Sequence, residues 1–304
     1  MTPGARQILL GILFMCASGL VFPVMGGFAK LLGQDYSALQ VSWARAFGHM
    51  LFLIAMLLPR FGIGILWPKR PGLQLARSTL LFAATVCFFV ALAYIPLADA
   101  ATLGLMSPLV VALLAWPMLG ERTTRLRVVA LVFGFIGVLV VLRPGSELFH
   151  PAALLVLVNA VAYAMYQVLT RIASRDDRPE TSALWSSVVG AVLMLGVLPF
   201  VWTTPANAFD LALFCGIGAI GGIGHYLVAR AIGLAPANIV SPFQYFQLIG
   251  SVAVGYMFFG DLPDLLVWLG AAIIIGAGLA IGWGETRRQP PAGTLPAPPG
   301  RSTT

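Results

Sequence analysis

Charged residues are scarce. They make up 10% of 304 positions, against about 25% in an ordinary soluble domain. Hydrophobic residues fill 59%. A soluble chain of this length could bury a large core, but it would still need polar residues to cover its outside. Here there are too few, so lipid is expected to be the solvent for most of the surface. Cysteine is also rare. Cys16, Cys87 and Cys215 lie far apart in apolar runs, so neither a metal spacing nor a disulfide framework is visible, and they read as small packing residues.

Further absences narrow the function. All eleven carboxylates fall in loops, at the ends of apolar runs or in the C-terminal tail. Carriers of organic cations commonly need a buried acid, as do many proton relays. No phosphate loop of the Walker type occurs, so no ATP or other cofactor is expected to drive the protein. His49, His150 and His225 are too scattered for a metal centre. The Gly216, Gly218, Gly221 spacing resembles a dinucleotide fingerprint, but no strand precedes it and no acid follows about 20 residues on. An enzyme would need a nucleophile with its base, or a metal cluster; neither is apparent, so the chain is not read as an enzyme. The net charge of +7 sits in short gaps between apolar runs, which argues against nucleic acid as a partner.

What is present is a series of apolar runs long enough to cross about 30 Å of hydrocarbon. Cutting at Pro, Gly and charge clusters predicts ten spans: 7–31, 37–58, 74–95, 98–118, 128–142, 152–173, 182–202, 211–231, 239–259 and 265–283. The first apolar run follows Arg6 and continues to Leu32 without a small-residue cleavage site, so it reads as a span rather than a signal peptide. The residues from 285 to 304 are Pro-rich and poor in apolar residues, and read as a disordered cytoplasmic tail.

Orientation follows from the placement of basic residues. The gap after span 2 and its flank hold Arg60, Lys69, Arg70 and Arg77. The gap after span 4 holds Arg122, Arg125 and Arg127, and the gap after span 6 holds Arg171, Arg175 and Arg178. With Arg6, Arg230 and the tail arginines, 15 of the 18 basic residues fall on one side. Both termini are expected in the cytoplasm. The 16 arginines against two lysines suggest a bacterial, GC-rich source, hence an inner (cytoplasmic) membrane.

The halves resemble each other. Ala91-Leu92-Ala93 leads through IPLADAATLGLMSP to Leu119-Gly120-Glu121 and a Gly-rich helix. Ala229-Arg230-Ala231 leads through IGLAPANIVSP to Phe259-Gly260-Asp261 and another. Five spans per half is an odd number, so the halves must enter the membrane in opposite directions, the recurring plan of alternating-access carriers. The predicted fold is all-α and integral to the membrane, ten helices in two inverted five-helix repeats, 7–142 and 151–283.

The segment ALAYIPLADAATLGLMSPLVVALLAWPMLGER, its counterpart ending GYMFFGDLPD and the Gly-rich helices after each resemble the EamA-type carriers of the drug/metabolite transporter superfamily. The resemblance implies a ten-helix carrier, and one branch of the superfamily looks like the aromatic amino-acid exporters. The expected function is export of neutral amino acids, with aromatic, Met and Thr side chains, or of related small metabolites. The alternatives are a flippase of a lipid-linked intermediate or a carrier of another metabolite such as S-adenosylmethionine. The partners would be the solute and membrane lipid, with room for a homodimer.

Polar residues inside spans are costly and mark candidate sites. Ser42, Arg45 and His49 share one face of span 2. Arg45 lies about 12 Å from the span's outer end by helical rise. It could offer a carboxylate its bidentate fork, or tie structurally to carbonyls, Asp35 or Asp99. Trp43 is a candidate aromatic wall. His49 reads more naturally as a packing or hydrogen-bonding residue. Asn159, Tyr163, Tyr166 and Gln167 form a polar and aromatic stripe on span 6. Gln244 and Tyr245 belong to another on span 9, with Ser241, Gln247 and Ser251. His225 follows Gly218 and Gly222 on a face suited to close packing. Pro108 and Pro23 are expected to kink spans 4 and 1. The expected cavity is lined by spans 2, 6, 8 and 9 among others, with spans 5 and 10 outside it.

Single cysteines at Arg70 and Arg125, on a background without the native three, should resist membrane-impermeant thiol reagents in intact cells. Ready labelling of both positions would overturn the orientation.

Overall fold

The computed structural model describes residues 3–119, 125–145, 149–235 and 237–286. Every regular element among them is helical. They group into ten spans, the all-α membrane architecture expected from the apolar runs. Span 1 is Pro3–Leu32, span 2 Ala38–Phe61, span 3 Pro71–Leu92, span 5 Arg125–Leu142, span 6 Ala152–Ala173, span 8 Ala208–Leu234 and span 10 Leu265–Thr286. The other three are discontinuous. Span 4 is Leu97–Gly104 followed by Ser107–Leu119. Span 7 is Pro179–Trp185, Val188–Leu193 and Leu198–Val201, with a 3-10 turn at Met194–Gly196. Span 9 is Ala237–Val240, a 3-10 turn at Ser241–Tyr245, then Phe246–Phe259. Six helices meet the length and hydropathy of a membrane crossing, and Val128–Leu142 and Leu265–Ile281 are shorter apolar helices. The expected tail beyond 286, together with Gly120, Glu121 and Arg122, lies outside the described residues.

The core is apolar, yet large apolar side chains also cover the outside and several polar ones are fully buried. Leu13, Phe200, Met257 and Leu265 are exposed, whereas Gln40, Arg45, His49, Gln74, Arg77 and Gln167 are buried. Soluble domains almost never bury Arg fully unless it is paired. In hydrocarbon a polar group facing lipid has no hydrogen-bonding partner, so such groups turn inward.

The packing follows the repeat. Span 1 lies on span 8, and at the related position span 6 lies on span 3; span 1 also meets span 9 as span 6 meets span 4, while spans 5 and 10 pair with each other. The spans 5 and 10 pair stands outside the central group, with Val132, Phe135, Ile136 and Leu269 turned outward. Close crossings use glycine. A Cβ at Gly48 of span 2 would lie 3.0 Å from the Cα of Gly218 on span 8, and one at Gly137 would lie 3.0 Å from the Gly270 carbonyl oxygen. Without water to drive association, such backbone approach is what holds membrane helices together. Gly260 takes φ 69° and ends span 9 by donating to the Tyr256 carbonyl.

The sequence predicts a kink at Pro108 in span 4 and an unbroken span 7; both spans are broken. In span 7 the break at Ser186 and Ser187 is repaired from span 3. Ser78 Oγ accepts from the Val189 amide (2.9 Å) and donates to the Ser186 carbonyl (3.2 Å). One hydroxyl thus supplies both partners that the missing helical turn would have supplied. Pro108 stands second in the Ser107–Leu119 helix and has no N–H for the Gly104 carbonyl, one turn back. The discontinuity falls at that point. Pro23, by contrast, lies within an unbroken helix and packs on Gly250 of span 9.

Gly218→Leu is expected to destabilise by about 1–3 kcal/mol or more, since the added side chain meets backbone rather than a movable group. Gly276→Ala, where nothing lies within 4 Å, should be neutral or slightly stabilising. Thermal unfolding of the detergent-purified variants reads the difference; equal melting of the two would contradict the close crossing.

Candidate functional site

A cavity of about 90 Å³ lies between the two repeats. Its walls come from Phe22 and Met25 on span 1, and from Leu81, Ala84, Thr85, Phe88 and Phe89 on span 3. Gly104 and Leu105 contribute at the break in span 4, with Asn159 and Tyr163 on span 6, His225 on span 8, and Gln244 and Gln247 on span 9. Pockets for drug-sized ligands run to roughly 300–1,000 Å³, so in this conformation the walls are drawn together.

Five of the residues singled out in the sequence reach this wall: Asn159, Tyr163, His225, Gln244 and Gln247. Asn159 Nδ2 donates to the Ala84 carbonyl (2.9 Å), which leaves its oxygen and second N–H unused by that bond. Gln244 and Gln167 exchange amide hydrogen bonds: Gln244 Nε2 donates at 3.0 Å and Gln167 Nε2 at 3.4 Å. Gln167 also reaches Ser107 Oγ (3.4 Å), beside the break in span 4. Gln167 therefore backs the wall residue rather than forming the wall.

Arg45, His49 and Tyr166 make a second layer. Arg45 Nη1 lies 3.2 Å from His225 Nε2, and no bond joins it to Asp35 or Asp99. His49 Nε2 donates to the Ala183 carbonyl (3.1 Å) of span 7, and its ring stacks on His225 at 5.6 Å. Tyr166 pairs its hydroxyl with Ser186 Oγ (3.1 Å), and the Arg77 guanidinium stands 5.0 Å over its ring. Span 2 thus stands behind the cavity, although the spacing of Ser42, Arg45 and His49 predicts it in the wall. The physical reason is His225, whose ring fills the space between Arg45 and the opening.

Two candidates lie elsewhere. Trp43 donates its indole N–H to the Ala191 carbonyl (3.2 Å), stacks on Phe47 and meets Trp202 edge-on, all on the outer flank of spans 2 and 7. Tyr245 is buried, points toward span 10 at Gly278, and is absent from the wall. The span 3 residues were missed, because Leu81, Ala84, Phe88 and Phe89 are indistinguishable by type from lipid-facing residues. The repeat held the signal: span 3 is the counterpart of span 8.

Polar ties cross between the repeats on both faces. On the face rich in basic residues, Arg77 donates to Thr170 Oγ1 (3.0 Å), the Ser182 carbonyl (3.3 Å), Ser186 Oγ (3.3 Å) and Gln74. Gln74 Nε2 in turn donates to Asp177 Oδ2 (2.8 Å), which lies in the gap between spans 6 and 7. Outside this buried group, Arg70 pairs across the repeats with Asp176 (2.9 Å), while Arg230 pairs with Glu180 (3.3 Å) within the second repeat. On the opposite face Lys30 pairs with Asp261 (2.7 Å), Arg143 pairs with Asp264, and Tyr36 Oη donates to Asp210 (2.7 Å). The Arg143 guanidinium holds the Asp264 carboxyl below the usual carboxylate range.

The family profile of EamA-like transporters matches residues 9–143 and again residues 150–283. The chain belongs to the EamA-like transporter family. This transporter is 27% identical over 287 residues to an S-adenosylmethionine uptake transporter of Rickettsia prowazekii, covering 94% of this chain and 97% of that one. It is 30% identical over 287 residues to a riboflavin transporter of Rhizobium johnstonii (93% and 94% covered). It is 29% identical over 276 residues to a pseudopaline exporter of Pseudomonas aeruginosa (89% and 95%). A solved crystal structure superposes with a TM-score of 0.68 at 19% identity, covering 94% of this transporter and 99% of that chain; at that identity the likeness concerns the fold.

The two kinds of tie should differ in weight. Arg77→Ala removes the partner of several buried groups, each costing about 1–3 kcal/mol when left unpaired, so a loss of about 3 kcal/mol or more is expected. Asp264→Asn breaks an exposed pair worth about 0–1 kcal/mol. Thermal unfolding in detergent measures both, and an Arg77→Ala protein as stable as Asp264→Asn would refute the assignment.

Proposed function

We propose that this EamA-family transporter is an alternating-access carrier that exports small amphipathic zwitterions through the cavity between its repeats. The class is neutral amino acids, with aromatic, Met and Thr side chains accepted, and metabolites built on an amino acid. The observation that carries the reading is the composition of the wall. Phe22, Phe88, Phe89 and Tyr163 offer ring faces, Asn159, His225, Gln244 and Gln247 offer hydrogen bonds, and no acid is among the wall residues. Ring faces attract an ammonium group and pack against an apolar side chain. The Gly104 carbonyl, which Pro108 cannot serve, is an acceptor at the same place. Broken helices in corresponding positions of the two halves are the usual builders of a carrier site, and spans 4 and 9 are both interrupted beside this cavity.

The relatives support a related solute. S-adenosylmethionine carries an amino-acid head and a flat adenine ring that match this wall, while its sulfonium charge has no acid in the wall to meet it. A second reading is a flat heteroaromatic solute without an amino-acid head, as the riboflavin transporter suggests; the three phenylalanines and Tyr163 favour it. A wall that works mainly by apolar contact separates neighbouring side chains by only about 1–3 kcal/mol, so transport is expected to be broad and modest in affinity. The basic-residue asymmetry supports an inner-membrane location with both termini cytoplasmic.

Proteoliposomes of the purified protein should take up labelled phenylalanine, methionine or S-adenosylmethionine faster than empty liposomes. Accumulation of riboflavin with no amino-acid flux would replace the first reading by the second.

A further inference from the structure

The hydrogen bond between Arg45 and His225 can run in one direction only. A guanidinium carries donors and no acceptor, and Arg45 Nη1 lies 3.2 Å from His225 Nε2. Nε2 must therefore accept, so the ring proton sits on Nδ1. An imidazolium, protonated on both nitrogens, would have nothing to offer the guanidinium. Among the described residues His225 Nδ1 is buried with no partner, and the His225 ring lines the cavity. Tyr163 Oη is likewise buried without a partner, on a side chain lining the same cavity. Buried hydrogen-bonding groups left unpaired are costly. Two on side chains that share one cavity mark where the polar end of a ligand belongs.

The local charge says which polar end. Arg45 is 1% exposed, and its single hydrogen bond goes to a neutral imidazole. Among the described residues its Nε has no partner. Arg77 is also fully buried, and its hydrogen bonds all go to neutral oxygens. A buried charge normally sits against an opposite one. Among the described residues Arg45 has none.

We propose that a carboxylate of the transported solute binds His225 Nδ1–H and Tyr163 Oη–H. Arg45 is the positioning residue: it fixes the His225 tautomer from behind and supplies the uncompensated positive charge. This rests on the carrier reading and names the anionic end of its substrate. Arg45 does not grip the carboxylate itself, because His225 stands between it and the cavity. The guanidinium converts a ring that could present either an acceptor or a donor into a fixed donor.

The chain has three histidines, so ¹⁵N-histidine NMR of the full-length protein in lipid nanodiscs can resolve each one, with His225→Asn assigning the signal. In the wild type His225 should show protonated Nδ1 and bare Nε2. Arg45→Lys, which keeps a donor, should retain that tautomer, and Arg45→Met should lose it. Phenylalanine and phenylacetate should each shift the His225 Nδ1–H signal, while phenylalaninamide and phenylacetamide should not. Arg45→Met should weaken phenylacetate binding on the order of tenfold, the equivalent of about 1.4 kcal/mol. A wild-type proton on Nε2, or a tautomer indifferent to Arg45→Met, would overturn the positioning role. Equal responses to acid and amide, or no response to either acid, would overturn carboxylate recognition. A response to phenylacetate without one to phenylalanine would uphold this site and remove the amino-acid reading instead.

Discussion

Hydrocarbon cannot hydrogen-bond, and the rest of this structure depends on that constraint. Every backbone N–H and C=O in a span must find its partner within the protein, so the chain answers with helices almost throughout. Where a helix stops inside a span, a side chain must replace the missing bond. Ser78 does this for span 7, serving the Val189 amide and the Ser186 carbonyl with one hydroxyl. The same constraint gathers Gln74, Arg77, Thr170 and Ser182 into one buried group, since none of them could face lipid.

The two buried guanidiniums illustrate different solutions. Arg77 is nearly saturated, with bonds to four groups and the face of Tyr166 beneath it. It joins span 3 of the first repeat to spans 6 and 7 of the second, and its role is cohesive. Arg45 bonds to one imidazole and keeps a bare Nε. A fold under selection for stability alone would be expected to satisfy it or replace it by an apolar residue of similar volume. Its incompleteness is the physical basis for assigning it to the proposed site.

Spacing on a single helix made part of the site legible. Asn159 and Tyr163 recur at one turn, and a stripe of that kind on a membrane helix must face protein or water. The depth of each residue was not legible. Tyr166 and Gln167 share the stripe but point to Ser186 and Gln244 rather than to the opening. Trp43, one turn from Phe47 and two residues from Arg45, turns to the opposite flank of its helix. Phe88 and Phe89 entered the wall because span 3 packs on span 6, a fact about two helices 60 or more residues apart.

The sequence by itself determined the solvent, the number of spans and the family. Those properties are sums over many residues, and the apolar runs, the charge placement and the repeated Gly and Pro signals each carry them redundantly. The tertiary structure alone decided which face of each helix meets the cavity, where spans 7 and 9 break, and that His225 stands in front of Arg45. Those outcomes turn on contacts between distant helices, where a rotation of one residue position, about 100° on an α-helix, moves a side chain from the cavity wall to the layer behind it.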